Sequence, residues 1–185
     1  VGRGAVLYGL DVRRAAGLTY SPVVRKGICS HDFPNIEART FRRQLADWKP
    51  DLVIWQFGKN EAGWDQYTLD KHLTGVRWIV TNIRAVLPEA AIIFVGPGPR
   101  LNKYGGPLRL FPSVPEMCAA QSNAAREYGL GYFDSFGALG GEPGFRDLVN
   151  RGLAMNDYVH LTVQGGNILG DAIADNILSS WARWL

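Results

Sequence analysis

Two short stretches of the chain are apolar almost throughout. "DLVIWQF" (51–57) follows Lys49-Pro50, and "AAIIFVG" (90–96) follows Leu87-Pro88. Continuous apolar runs of this length, bounded by turn residues, predict inner parallel strands buried on both faces. Between them the pattern changes. From about Tyr67 to Leu87, the residues Leu69, Leu73, Val76, Ile79, Val80, Ile83 and Leu87 recur at three- and four-residue spacing, which puts them on one face of a helix. Strand, helix and strand of these lengths make a βαβ unit, whose crossover is expected to be right-handed.

The alternation continues downstream. "PEMCAAQSNAAREYG" (115–129) predicts a helix capped at Gly129, and "GYFDS" (131–135) predicts a short strand. A final helix is expected from near Thr162, with Ile168, Leu169, Ile173, Ile177, Leu178 and Trp181 on its apolar face. Upstream, "LTYSPVV" (18–24) predicts a strand and "IEARTFRRQLADW" (36–48) a helix. "GAVLYGLDVRR" (4–14) alternates only in part and ends in Ala15-Ala16-Gly17, so it is expected in an antiparallel element rather than in the main sheet. The Gly- and Pro-rich stretches 96–107 and 140–144 read as loops. Strands alternating with helices define an α/β domain with a mostly parallel sheet, and ligands of such sheets bind beyond the carboxyl ends of the strands.

Composition narrows the class. With 185 residues, 46% hydrophobic and 20% charged, the chain suits one globular domain with a sizeable core. The net charge of +3 is small and dispersed over single and paired basic residues, which argues against a nucleic-acid partner. No apolar run approaches the ~18 residues of a membrane span. The chain begins at Val1 rather than Met, so an upstream segment is expected to have been removed or not included, and the lack of a signal peptide carries no statement about location. Cys29 and Cys118 lie too far apart for a CxxC motif. They leave open a single disulfide in an oxidising compartment or two buried thiols.

Certain polar residues fall where chemistry is expected. Strand 51–57 runs into Gly58-Lys59-Asn60-Glu61. Gly58 permits a sharp turn, and the Asn60 amide then sits at the carboxyl edge of the sheet, a suitable donor to a developing oxyanion. Asp157-Tyr158-Val159-His160 precedes the last helix. A carboxylate three residues before a histidine can fix the ring tautomer and leave the second ring nitrogen as a general base. Gly27, after stretch 18–24, offers a backbone N–H. Taken singly, each of these also fits a polar turn.

Together they resemble the SGNH (GDSL-type) hydrolases, a family named for four blocks bearing Ser, Gly, Asn and His. Gly27 is similar to the glycine of block II, Gly58-Lys59-Asn60-Glu61 to the G-x-N-D/E of block III, and Asp157-x-x-His160 to block V. The flanking stretches "PDLVIWQFGKNEA", "YFDSFGALGG" and "LAMNDYVHLTVQGG" resemble the branch related to bacterial peptidoglycan O-acetylesterases, and the likeness spans roughly residues 17–185. It implies a three-layer flavodoxin-like fold, an acylated carbohydrate substrate, an extracytoplasmic location, and no cofactor or metal. It assigns His160 and Asp157 to the catalytic pair, Gly27 and Asn60 to the oxyanion hole, and Gly58 to the supporting turn. His31 and His72 have no ligand partners at recognisable spacing, and are expected to be surface or capping histidines.

One part of that pattern has no counterpart here. The family's nucleophile is a serine in a G-D-S-type block after the first strand, and this chain contains no such block. Its first serine is Ser21, followed by Pro22; Ser30 comes after the block II glycine rather than before it. In some relatives a β-rich module separates the serine block from block II. Residues 1–16 are therefore expected to contain the last strand of such a module, and residues 17–185 the C-terminal portion of the hydrolase domain. Another polypeptide segment would supply the serine-bearing strand beside strand 51–57. The alternative is a non-catalytic structural or glycan-binding subunit of a larger envelope assembly.

Overall fold

The computed structural model describes residues 17–103 and 106–183. The expected strand at 4–14 and the proposed boundary at residue 16 lie outside them. Three parallel strands form the main sheet in the order β1 (Leu52–Gln56), β2 (Ala91–Val95), β5 (Gly131–Phe133). Leu52 pairs with Ala91 and Gln56 with Val95; Ile93 pairs with Gly131 and Val95 with Phe133. Helix α2 (Leu69–Arg84) carries the crossover from β1 to β2, and α3 (Ser113–Glu127) that from β2 to β5. Thr68 starts α2 by accepting the Lys71 N–H, satisfying a donor that the helix leaves free. Two short antiparallel strands, β3 (Leu101–Asn102) and β4 (Arg109–Leu110), interrupt the 96–107 loop.

Successive strand residues face opposite sides, and this splits the core in two. Ile92 and Phe94 join Trp55 and the buried stripe of α2 (Val76, Ile79, Val80, Ile83), together with Leu45 of α1 (Ala38–Trp48) and Ala124 and Ala125 of α3. Val95 and Phe133 instead pack with Phe145, Leu148 and Val149 of α5 (Gly141–Asn150) and Leu169 of α6 (Val163–Ala182). Helices thus cover both faces of a parallel sheet, the three-layer flavodoxin-like arrangement. Short α4 (Ser135–Ala138) follows β5, its first turn capped by the Asp134 side chain.

Several expectations are corrected. Residues 18–24 are not a strand: they pair with nothing among the described residues, and Leu18, Tyr20, Val23 and Val24 are exposed. A strand exists only where a neighbour takes its backbone bonds, and Pro22 has no N–H to offer. Residues 141–144 open α5 instead of forming a loop; Gly140, in the left-handed region at φ 74°, makes the turn into it. Strand β1 is not buried on both faces. Trp55 is buried, but Ile54 is 40% exposed, and among the described residues no strand lies on the side of β1 away from β2. Both cysteines are free thiols.

Candidate active site

The carboxyl end of β1 turns at Gly58, whose φ is 115°. A Cβ there would press on Pro97, Gln121 and Met117 at 3.2–3.3 Å, so both the backbone angle and the space call for glycine. The turn delivers Asn60 to the rim. Its side-chain amide donates to the Ile28 carbonyl at 3.0 Å, one residue beyond Gly27, which turns the chain at φ 77°. An amide nitrogen carries two hydrogens. The second Asn60 N–H has no partner among the described residues, so the bond to Ile28 orients this donor without consuming it.

The Asp157–His160 turn is built from its own backbone. Asp157 Oδ1 accepts the N–H groups of Val159 (2.8 Å) and His160 (3.0 Å), while Oδ2 meets His160 Nδ1 at 2.7 Å. Tyr158 between them adopts φ 59°, a left-handed conformation uncommon for a side-chain-bearing residue. Burial by itself would raise the Asp157 pKa. The bonds from the His160 ring and from the two backbone N–H groups outweigh it and hold the carboxyl at about 2. With Nδ1 turned to Asp157, His160 Nε2 is the ring nitrogen left open, on a side chain that is 66% exposed.

Two links bring these loops to one edge of the sheet. The Leu101 N–H donates to the Tyr158 carbonyl at 3.0 Å, tying the segment after β2 to the Asp157–His160 turn. Arg100, half-buried beside the Phe111 ring, donates from Nη1 to the carbonyls of Lys59 (2.6 Å) and Asn60 (3.0 Å). Both Lys59 and Arg100 feel the charge of Asp157. Burial chiefly, then Arg100, lowers the Lys59 pKa to about 8, with Asp157 acting the other way. Gly27, Gly58, Asn60, Asp157 and His160 therefore gather where a parallel sheet places its ligands.

Sequence reasoning missed a second polar cluster behind this edge. His72 is neither a surface nor a capping residue; it is fully buried on α2. Its Nδ1 meets Glu61 and lies 2.9 Å from Ser30 Oγ, while the Gln121 amide donates to Nε2 at 3.1 Å and to the Phe57 carbonyl at 2.9 Å. Glu61 also accepts the Ser30 N–H. Burial opposes its charge, but the donors from His72 and Ser30 prevail and keep its pKa below the ordinary carboxylate value. The available signal was position: His72 is four residues before Val76 and seven before Ile79, on the same buried stripe. His31 is half-buried and stacks on Trp64, ring centroids 4.4 Å apart and planes within 6°.

This cluster also bears on the nucleophile. Ser30 is wholly buried and committed to His72, and Ser135 is buried as well. Burial, then the charges of Glu61 and Asp32, push the Cys29 thiol up to about 11, the reverse of activation. Among the described residues no serine is bonded to His160.

An α/β fold with an Asp–His pair and an amide donor at one sheet edge is the arrangement expected of an SGNH-type hydrolase domain. The model of the GDSL-like Lipase/Acylhydrolase family matches residues 10–168, and the chain belongs to that family. Among solved structures, it is similar to a peptidoglycan O-acetylesterase (TM-score 0.77, 26% identity, 86% of this chain and 45% of that one). It also matches an acetylxylan esterase from Geobacillus stearothermophilus (TM-score 0.57, 22% identity, 80% of this chain and 66% of that one). A third match is the periplasmic domain of a lipopolysaccharide acetyltransferase from Salmonella ser. Paratyphi A (TM-score 0.54, 18% identity, 76% and 61%). The chain thus spans less than half the length of the first of these proteins. The search of curated proteins finds no match. No helix among the described residues is long and apolar enough to cross a membrane.

Proposed function

We propose that the chain is the portion of a carbohydrate O-acetylesterase that supplies the general base and two oxyanion donors, and that the attacking serine comes from a segment outside it. One observation carries this reading: His160 is oriented by Asp157 with Nε2 left open, on the same edge as the half-committed Asn60 amide. The serine oxygen attacks the acetyl carbonyl as His160 Nε2 takes its proton. Asp157 holds the ring and stabilises its charged form. The Gly27 N–H and the Asn60 amide donate to the tetrahedral oxyanion. His160 then protonates the leaving sugar oxygen. Water, activated by the same ring, releases acetate and regenerates the serine. The family and the esterases among the similar structures support an acylated carbohydrate as substrate, peptidoglycan being the first candidate; the similarity to a periplasmic acetyltransferase domain supports an extracytoplasmic location.

The side of β1 away from β2 supports the external strand, since the half-exposed Ile54 and a backbone edge left unpaired among the described residues are what a neighbouring strand would cover. A second reading, a non-catalytic glycan-binding or structural subunit of an envelope assembly, is favoured by a single fact: Ser30, beside the candidate oxyanion loop, is locked to His72.

Turnover of p-nitrophenyl acetate separates the two. The chain alone is expected to be nearly inactive, and the protein completed by a serine-bearing strand active. In the completed protein, His160→Ala should lower kcat by several orders of magnitude. Asn60→Ala should cost roughly 10²–10³, as loss of one oxyanion donor does. An inactive completed protein supports the non-catalytic reading. Robust turnover by residues 1–185, abolished by Ser30→Ala or Cys29→Ala, overturns the external nucleophile.

A further inference from the structure

Cys29 stands at the start of a short 3₁₀ helix, Ser30–Asn35. Cys29 is its N-cap, with an extended backbone (φ −108°, ψ 162°), and its N–H donates to Asp32 Oδ2 at 2.8 Å, which brings the two residues together with His31 beside them. One ligating atom from each of Cys29, His31 and Asp32 lies within 4.8 Å of the other two. Four-coordinate zinc, with bonds of about 2.0–2.3 Å, holds its ligands roughly 3.3–3.8 Å apart. His31 Nε2 and Asp32 Oδ1 are 3.7 Å apart, already within that range.

The surroundings hold this arrangement in place. Cys29 lies between two pinned neighbours: the Ile28 carbonyl accepts from Asn60, and Ser30 is bound through its N–H to Glu61 and through its hydroxyl to His72. The His31 ring is fixed against Trp64. All three candidate ligands are half-buried, within reach of solvent but not surrounded by it.

We propose that Cys29, His31 and Asp32 form a site for a thiolate-binding divalent cation of the zinc class, on the loop beside the candidate oxyanion donors. The donor set selects the chemistry. A sulfur and an imidazole favour zinc or cobalt over magnesium or calcium, which take oxygen ligands. On binding, the cation–sulfur bond forms as the thiol proton leaves to solvent. Three protein ligands leave a fourth position for water or a further ligand. This site is independent of the hydrolase reading, and neither stands or falls with the other.

The test is titration of the reduced chain with cobalt(II), followed by the thiolate-to-cobalt charge-transfer absorption, with zinc added in competition. One cation per chain is expected, displaced by zinc. Cys29→Ser should abolish the absorption. His31→Phe, which keeps the stack on Trp64, and Asp32→Asn should each weaken binding on the order of 10–100-fold, with circular dichroism unchanged. Cys118→Ser and His160→Ala should bind as the parent does. Zinc should raise the melting temperature of the parent but not of Cys29→Ser, since a ligand that binds only the folded state stabilises it. The proposal is overturned by no absorption at millimolar cobalt, by absorption surviving in Cys29→Ser or lost in Cys118→Ser, or by a folded His31→Phe that binds as tightly as the parent. Should Asp32→Asn fail to fold, the Cys29 and His31 variants decide the matter.

Discussion

Replacing Gly75 by alanine sets two opposing effects against each other. Gly75 lies inside α2, where alanine is better than glycine by about 1 kcal/mol. On helix propensity alone the variant would be more stable. The structure reverses the sign. A Cβ at Gly75 would run into the Ser30 carbonyl and come within 2.9 Å of Ser30 Cβ, so the backbone of the loop must move. Overpacking of this kind costs roughly 1–3 kcal/mol. Moving Ser30 also strains its bonds to Glu61 and His72, and a buried group left unpaired costs a further ~1–3 kcal/mol. The balance is a loss of about 1–5 kcal/mol. With a urea m-value of about 2 kcal/mol/M, the unfolding midpoint should fall by roughly 0.5–2.5 M. Gly170→Ala provides the matched control. It lies inside α6 with no atom within 4 Å of a built Cβ, so only the favourable effect, up to ~1 kcal/mol, remains. Urea unfolding followed by circular dichroism compares the two. A Gly75→Ala midpoint at or above that of the parent would refute the close packing of α2 on the Ser30 loop.

Three further outcomes are expected. His72→Ala leaves the fully buried Glu61 without its partner, and denaturant unfolding should show a loss of about 3–5 kcal/mol. Asp157, held at about 2, contributes stability that is present above the ordinary carboxylate pKa and is lost as pH falls through 2. The stability advantage of the parent over Asp157→Asn should therefore shrink between about pH 4 and pH 2, and an advantage unchanged across that window would contradict the assignment. Lys59 has its pKa lowered to about 8, so between pH 8 and the ordinary lysine value near 10.5 the unfolded chain binds more protons and stability rises with pH. Lys59→Met should remove that rise and be the more stable form at neutral pH; urea midpoints of both proteins from pH 7 to pH 10 check the sign.

Elements defined by their own side chains were legible in the sequence. The runs 51–57 and 90–96 became β1 and β2, and the apolar periodicity of 67–87 became α2. Residues 18–24 have strand-like composition but no partner among the described residues, and pairing belongs to the neighbour as much as to the segment. Helix α5 was hidden because Gly141, Pro143 and Gly144 in its first turn resemble loop residues, although a first helical turn needs few N–H donors and so tolerates proline. At the site, Asp157 and His160 are local in sequence, and their hydrogen bond follows from their spacing. The joining of Ser30, Glu61, His72 and Gln121 was not legible. It depends on four separate elements meeting, and a histidine on an apolar stripe announces burial but not its partners. The partial commitment of Asn60 to Ile28 was hidden for the same reason.

Asn60 and Glu61 are adjacent, and they grip residues 28 and 30 of the facing loop, one through an outward-facing amide and the other through a buried carboxylate. The two bonds form together only when both loops keep their spacing, like a clasp whose teeth must mesh in step. A single inserted or deleted residue between 28 and 30, or between Gly58 and Glu61, would exchange the solvent-facing position for the buried one and undo both grips at once. Length is thus more tightly constrained here than chemical identity. Sequence drift at this edge can proceed by substitution, while insertions are confined to stretches outside the clasp, such as residues 18–24, which are exposed and pair with no strand among the described residues.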